Sequence, residues 1–154
     1  MSDCFICAEH ADPATQPLVV AGDEQVVVAH LPLATPAGAQ ERAYLGYLFV
    51  EARRHVPELG DLTADEAAAV GIAAARWSRA LQDVEGAEHV YAAVVGHGVG
   101  HLHLHLIPRY PGTPREYWWT LVDEWPDAPR GDGAAIAALV ERLRGHQIVS
   151  NANS

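Results

Sequence analysis

The sequence predicts an α+β fold, an antiparallel β-sheet with a long helix and a C-terminal helix packed on it. Short strand-type segments recur along the chain, which favours a sheet. Two segments with helical capping signals lie between and after these strands. Strands and helices in this mixed order are typical of an antiparallel sheet with helices on one side.

Capping signals define the two helices. Thr63 and Glu66 form a capping box, which begins an alanine-rich helix that runs to the region of Val84. A C-terminal helix is predicted over Gly133–Arg144, with Gly145 as the residue that ends it.

Five segments read as strands because their residues are strand formers bounded by turn formers. They are Leu18–Ala21, Gln25–His30, Gly46–Ala52, His89–Val95 and Gly100–Ile107. The stretch Pro36–Arg42 is predicted to be a loop with a short helical turn. The proline- and tryptophan-rich segment Pro108–Arg130 is predicted to be an ordered cover over the functional site.

Length and composition limit the class of protein. A chain of 154 residues is most simply one domain, expected over 1–148, with a polar and disordered tail at 149–154. The net charge of −10 argues against nucleic-acid polymers and anionic membranes as partners. The chain has neither a long apolar run nor a signal-peptide pattern, so we expect a cytoplasmic protein without a membrane span. In that reducing compartment Cys4 and Cys7 are expected to be thiols or metal ligands.

Three histidines at alternate positions are the most informative feature of the sequence. His101, His103 and His105 would share one face of a strand, because successive strand residues point to opposite faces. A neutral imidazole is a nucleophile near pH 7, since its ordinary pKa is about 6.5. The pattern therefore favours a chemical site over a solvated strand face.

Four segments resemble those of one family. His101–Arg109 resembles the His-φ-His-φ-His-φ-φ signature of the histidine triad (HIT) superfamily, where φ is an apolar residue. Gly46–His55 resembles its Gly-His-x-Leu-Val-x-Pro-Lys-x-His segment, and 59–66 resembles its Asp-Leu-Thr-x-x-Glu helix start. The pair Cys4 and Cys7 resembles an N-terminal pair found in many bacterial members. The segments follow the family's order.

The resemblance implies a single HIT-like domain and a HIT-type hydrolase or nucleotidyl transferase. Such an enzyme would cleave a phosphoanhydride, phosphoramidate or phosphoester bond of a nucleotide, for example of a dinucleoside polyphosphate or a nucleoside phosphoramidate. By its position in the motif His103 is the expected nucleophile, which forms a covalent phosphohistidine intermediate. His105 is expected to donate a hydrogen bond to the phosphate. The resemblance also implies a homodimer whose ligand is a nucleotide or another phosphorylated small molecule.

The resemblance further implies a structural zinc site. Its expected ligands are Cys4, Cys7, His55 and His101, because members with the cysteine pair use these positions. Two thiolates and two imidazoles make a closed tetrahedral site. The alternative is a pair of free thiols.

The predicted phosphate-binding residues combine a loop with two side chains. The loop before the triad places His97 where many nucleotide-hydrolysing members have glutamine, and Gly98 where they have serine or threonine. Backbone N–H groups of this glycine-rich turn, with Val99, could replace the missing hydroxyl. His105 and Arg109 complete the set, although a surface salt bridge is an equal alternative for the arginine.

Two further departures from the family pattern concern the triad and the ribose. Tyr47 stands where most members have a histidine beside the triad, so the support of the triad is changed. Pro32 stands where nucleoside-binding members offer an aspartate or asparagine to the ribose, and proline cannot replace it. Trp118, Trp119 and Trp125 are candidates for stacking on a planar group.

Two other functions stay open at this point. The first is a nucleotide-binding protein that has lost efficient catalysis, which the departures suggest. The second is a metal-dependent hydrolase in which His101, His103 and His105 bind a catalytic ion. Strand geometry disfavours the latter, because the outer histidines would lie about 13 Å apart.

Overall fold

The computed structural model describes residues 3–152, with side chains through residue 146. Its main sheet has five strands: β1 Val19–Gly22, β2 Val26–His30, β3 Leu48–Ala52, β4 His89–Val94 and β5 His103–Arg109. They are arranged in the order β1-β2-β3-β5-β4, and all neighbours are antiparallel. The helices are α1 Phe5–Ala11, α2 Ala64–Glu85 and α3 Gly133–Ala152. The predicted α+β fold is confirmed.

One face of this sheet forms the hydrophobic core with α2 and α3. The sheet contributes Val28, Leu48, Val50 and Leu106, and the helices contribute Trp77, Leu81, Ile136, Leu139 and Leu143. Each of these nine side chains is at most 2% exposed. Burial of one such side chain contributes about 1.5–3 kcal/mol. The core therefore holds the sheet rigidly and leaves its other face for the functional site.

The alternation of the strands brings a second set of side chains together on the opposite face. In the pairing of β3 with β5, Phe49 lies opposite His105 and Glu51 lies opposite His103. Helix α1 packs over this face, and His10 lies 2.8 Å from the buried carboxylate of Glu51. The open face of the sheet is thus partly covered by the N-terminal helix.

The long helix has the predicted ends, but the C-terminal helix does not. Thr63 caps α2 in a full capping box, and Gly86 ends it in the left-handed conformation with φ of 75°. Helix α3 continues through Gly145 to Ala152, so the predicted end at Gly145 is wrong. A glycine inside a helix costs about 1 kcal/mol relative to alanine, which alone does not end a helix. Residues 149–152, expected in the tail, belong to this helix, and residues 153 and 154 lie outside the described part.

The connections also differ from the sequence-based expectation. The predicted helical turn within 36–42 is absent among the described residues, since Ala34–Thr35 pairs with Gly38–Ala39 in a small hairpin. A second two-residue ladder joins Ala43–Tyr44 to Arg130–Gly131. The segment that precedes Arg130 contains two short 3₁₀ helices, Arg115–Tyr117 and Trp119–Leu121. Two further 3₁₀ helices lie at Pro13–Leu18 and Leu59–Asp61.

The segment 108–130 is ordered, as predicted, but it covers a neighbouring part of the sheet. Val122 and Ala128 pack on Ile107 and Tyr44 in a second small core. No described residue of 110–130 lines the cleft that contains His103 and His105. The segment therefore packs on the sheet beside the cleft and does not cover the cleft itself. Separately, no helix in the described range is both long and apolar enough to cross a membrane.

A buried histidine fixes the turn that leads into β3. His30 is fully buried, and its Nε2 accepts a hydrogen bond from the Gly46 N–H at 3.0 Å. Its Nδ1 must then carry the proton, which it donates to the Leu31 carbonyl at 2.8 Å. Gly46 has φ of 86°, and a Cβ there would lie 2.3 Å from the Tyr110 hydroxyl oxygen. Burial lowers the pKa of His30 to about 4.

We expect His30 to make folding acid-sensitive. The unfolded chain binds a proton at this residue below pH 6.5, whereas the folded chain excludes it until pH about 4. Stability is therefore lost as the pH falls through this window, by about 2 kcal/mol between pH 7.5 and 5. His30→Gln should lower the free energy of unfolding at pH 7.5 by about 1–3 kcal/mol and abolish this part of the pH dependence.

Urea denaturation at both pH values tests this expectation. All other ionisable groups are present in both proteins, so their contributions cancel in the difference between wild type and variant. An equal loss of stability in the two proteins on acidification would contradict it.

Candidate active site and metal centre

A cleft of about 270 Å³ lies on the open face of the sheet, between α1 and the loop that precedes the triad. Its floor is formed by Phe49, His103 and His105. Phe5, Ile6, Glu9, Leu31, Pro32 and residues 35–37 form one side, and residues 95–99 form the other. The predicted loop residues His97, Gly98 and Val99 thus share the cleft with two of the triad histidines.

His103 has the hydrogen bonding of a nucleophile. Its Nδ1 lies 2.6 Å from the backbone carbonyl oxygen of His101. A carbonyl only accepts, so Nδ1 carries the proton and Nε2 keeps a free lone pair. Phe49 packs against the ring, with centroids 5.4 Å apart and planes at 80°. The lone pair of Nε2 is available to attack an electrophile.

His105 is held differently, through a tyrosine. Its Nδ1 lies 2.7 Å from the Tyr47 hydroxyl oxygen. Its Nε2 is buried and has no hydrogen-bond partner among the described residues. Burial, followed by the charge of a protonated His103, lowers the pKa of His105 to about 4. His105 is therefore a neutral imidazole at pH 7, with one nitrogen left for a ligand.

The sequence did not predict the polar wall of the cleft beside α1. Glu51 is only 4% exposed and is paired with His10, while Glu9 lines the cleft next to it. Burial and the nearby Glu51 carboxylate raise the pKa of Glu9 to about 7. Strand alternation could have predicted the position of Glu51, because alternate residues of a strand share a face and Glu51 follows Tyr47 and Phe49 at this spacing. No comparable signal places Glu9 there.

Arg109 lies outside the cleft, in contrast to its predicted role in phosphate binding. Its guanidinium carbon lies 3.8 Å from the ring centroid of Trp118, and its Nη1 donates to the Tyr91 hydroxyl at 2.7 Å. Buried Ile107 separates it from His105 along the strand, a distance of about 13 Å for four residues. The arginine and Trp118 stabilise each other, and neither lines the cleft.

Four residues bring together ligand atoms suited to a metal ion. One atom each of Cys4, Cys7, His55 and His101 lies within 4.8 Å of all the others. Nδ1 of His101 lies 3.4 Å from both sulfur atoms, and Nδ1 of His55 lies 3.5 Å from Cys7 Sγ. Neighbouring donors of a tetrahedral zinc site are about 3.5–3.8 Å apart, given its usual bond lengths. The donor set and the spacing fit zinc.

His101 belongs to this centre and not to the cleft. Its ring is 1% exposed, and Nε2 donates to the Ala52 carbonyl at 2.5 Å, which leaves Nδ1 for the metal. It precedes β5, so the strand itself carries only two of the three histidines. Within the described residues, the four-residue centre is the single group of three or more such ligands. The three imidazoles do not converge on one ion, which argues against the metal-dependent hydrolase.

The fold and the site define an α+β protein with a histidine pair in a cleft beside a cysteine–histidine centre. Residues 23–112 match the family model of the HIT domain, more than half of the chain. The chain belongs to the histidine triad family. Comparison with curated protein sequences gave no significant match.

Several solved structures share this fold. A Zn-bound histidine triad family protein from Mycobacterium smegmatis is 18% identical with a TM-score of 0.68, over 97% of this chain and 98% of that chain. A hypothetical histidine triad nucleotide-binding protein from Sulfolobus tokodaii is 17% identical with a TM-score of 0.67, over 92% and 90%. The C. elegans NitFhit protein is 21% identical with a TM-score of 0.59, over 84% of this chain and 27% of that one. At these identities the likeness concerns the fold.

Proposed function

We propose that the protein is a nucleotide hydrolase or nucleotidyl transferase of the histidine triad type. The observation that carries this proposal is that, among the described residues, neither Nε2 of His103 nor the adjacent Nε2 of His105 in the cleft has a hydrogen-bond partner. The two rings have centroids 4.9 Å apart, so one phosphoryl group can reach both. The substrate class is a phosphoanhydride, phosphoramidate or phosphoester of a nucleotide, such as a dinucleoside polyphosphate or a nucleoside phosphoramidate.

The reaction proceeds in two displacements at phosphorus. Nε2 of His103 forms a P–N bond while the bond from phosphorus to the leaving group breaks, and the leaving group departs with the bonding electrons and takes up a proton. The Nδ1–H bond to the His101 carbonyl stabilises the positive charge of the substituted imidazole. Water, or a second acceptor in a transferase, then attacks phosphorus and releases His103.

Phosphate binding is assigned to neutral donors. His105 and the loop residues His97, Gly98 and Val99 border the cleft. We assign Nε2–H of His105 and the backbone N–H groups of this loop as donors to phosphoryl oxygens. Donors of this kind attract an anion locally although the whole chain carries a net charge of −10. Arg109 is not included, because it does not line the cleft.

A second candidate is a nucleotide-binding protein without efficient turnover. It is favoured by Glu9 and Glu51 in the cleft wall, because Glu51 and the ionised fraction of Glu9, whose pKa is about 7, oppose an anionic substrate. Pro32 in the same wall offers no hydrogen bond to a ribose. Tight binding of a nucleotide without product formation would support this candidate.

A zinc ion at the four-residue centre is proposed to be structural. When bound, zinc would be held by two thiolates and two imidazoles, which leaves no open position for a substrate. Cys4 caps helix α1 and Cys7 lies within it, whereas His55 and His101 follow β3 and precede β5. The centre therefore joins the N-terminal helix to the sheet. A pair of reduced cysteines in this role is consistent with the proposed cytoplasmic location.

A homodimer is proposed through the edge strand β4. This strand ends the sheet, so one side of its backbone has no neighbouring strand among the described residues. Val94 ends β4, Val95 follows it, and Trp119 packs on Tyr91 of β4; their exposed fractions are 37%, 40% and 46%. An identical edge from a second copy can pair with it antiparallel about a two-fold axis, and this pairing covers the apolar side chains.

We expect His103→Ala to abolish turnover of adenosine 5′-phosphoramidate or diadenosine polyphosphate, with a loss of at least about 1000-fold in kcat. When the wild-type reaction is stopped during turnover without acid, His103 should carry a nucleotidyl group. Mass spectrometry detects this group. His97→Ala is the matched control from the same cleft and should lose much less. Full activity of His103→Ala would refute the proposed mechanism.

Cys4→Ser should remove tightly bound zinc. Wild-type protein is expected to hold about one zinc ion per chain after dialysis, and the variant well below that, since one thiolate is lost. Elemental analysis measures this, and the melting temperature should fall as α1 is released. His103→Ala serves as the control and should retain zinc. A variant that holds as much zinc as wild type would contradict the assignment.

Sedimentation should give wild type twice the chain mass of 16.6 kDa. Val94→Lys places a charge in the proposed β4 interface and should shift the protein towards the monomer. Leu59→Lys changes an exposed leucine away from this edge, 54% accessible, and should leave the dimer intact. A monomeric wild type, or a dimer insensitive to Val94→Lys, would exclude this interface.

A further inference from the structure

Tyr47 differs from the residue that the family pattern has at its position, and its contacts give it a defined task. Its phenol ring packs against Phe49 with centroids 5.4 Å apart, and against His105 at 5.8 Å. Its hydroxyl has one hydrogen-bond partner among the described residues, Nδ1 of His105 at 2.7 Å. The contact joins the residue before β3 to the second cleft histidine.

The backbone holds this tyrosine in place from both sides. The preceding Gly46 donates to the buried His30, and the carbonyl of Tyr47 accepts from the Leu31 N–H at 2.8 Å. Both anchors belong to the end of β2 or to the residue after it. These bonds therefore fix the backbone of Tyr47, and the contacts of its ring with Phe49 and His105 orient the hydroxyl.

The direction of the hydrogen bond follows from the chemistry of its two partners. If Nδ1–H donated to the phenol oxygen, both the phenol proton and the Nε2 lone pair would lack partners within the described structure, whereas the reverse direction leaves only Nε2–H without one. A phenol is also a stronger acid than a neutral imidazole N–H, so it is the better donor. Burial, with a smaller effect of Asp123, raises the pKa of Tyr47 and keeps its proton in place. The phenol O–H donates, and Nδ1 of His105 accepts.

We infer that Tyr47 is a positioning residue whose hydroxyl fixes the proton of His105 on Nε2, so that this nitrogen donates to a phosphoryl oxygen. The inference rests on the proposed function and deepens it. His103 and His105 are then held as opposite tautomers: His103 with its proton on Nδ1 and a lone pair on Nε2, and His105 with the reverse. The first attacks phosphorus, and the second stabilises the negative charge that develops on oxygen.

Tyr47→Phe is the variant that tests this role, because it keeps the ring packing and removes one oxygen atom. Without the donor, His105 is free to move its proton to Nδ1, and Nε2 then faces the phosphoryl oxygen as an acceptor. We expect kcat for adenosine 5′-phosphoramidate to fall about 10- to 100-fold while KM changes less than about twofold. Tyr91→Phe removes a tyrosine hydroxyl outside the cleft and is the matched control, with kcat unchanged.

A spectroscopic measurement separates positioning from a merely structural effect. In protein labelled with ¹⁵N-histidine, the two nitrogen shifts of a neutral imidazole report which atom carries the proton. Wild type should show the Nε2–H tautomer for His105, assigned with His105→Asn, and Tyr47→Phe should show a mixture or the Nδ1–H form. An Nδ1–H tautomer in wild type would overturn the inference, as would a tautomer unchanged by Tyr47→Phe.

The same spectra distinguish this inference from the proposed function. If wild type turns over neither adenosine 5′-phosphoramidate nor diadenosine polyphosphate, the proposed hydrolase fails. Titration with inorganic phosphate still tests Tyr47 in that case. The inference requires phosphate to shift the His105 Nε2–H signal in wild type and to shift it less in Tyr47→Phe. Equal shifts in both proteins would refute it.

Discussion

The hydrogen bond from Nδ1 of His103 to the carbonyl of His101 is the interaction on which the candidate site depends. It determines which nitrogen of His103 carries the proton and which is left as a nucleophile. His101 can serve as a fixed acceptor because its own ring is immobilised. One ring nitrogen donates to Ala52, and the other faces the cysteine sulfur atoms. The four-residue cysteine–histidine centre is thus linked to the proposed nucleophile through one residue, by its backbone and not by its ring.

This arrangement explains why the proposed structural zinc site would lie next to a cleft whose proposed chemistry does not use the ion. The centre joins α1 to the residues that follow β3 and precede β5, the two strands that form the floor of the cleft. A structural ion at such a junction restricts movements that would change the spacing of His103 and His105. Ion binding also couples to folding, since the four ligands come together only in the folded chain.

The sequence could predict the features that depend on local pattern. Strand alternation placed His103 and His105 on one face, and the capping box of α2 was read correctly from four residues. Contacts between distant segments could not be predicted in this way. The bond between Tyr47 and His105 spans 58 positions, and the stacking of Arg109 on Trp118 depends on how 110–130 folds back. The predicted helix end at Gly145 was wrong because a glycine of this kind ends a helix where the backbone becomes left-handed, and here the helix continues.

Two histidines with the same perturbed pKa show how structural and chemical roles can be separated. Burial lowers the pKa of both His30 and His105 to about 4, so titration alone does not distinguish them. Hydrogen bonding does. Both nitrogens of His30 have backbone partners, whereas Nε2 of His105 is buried without one in the described structure. An unpaired buried polar atom costs about 1–3 kcal/mol, a cost that a phosphoryl oxygen would offset on binding. The fold therefore leaves at His105 a hydrogen bond that the proposed phosphoryl ligand would complete.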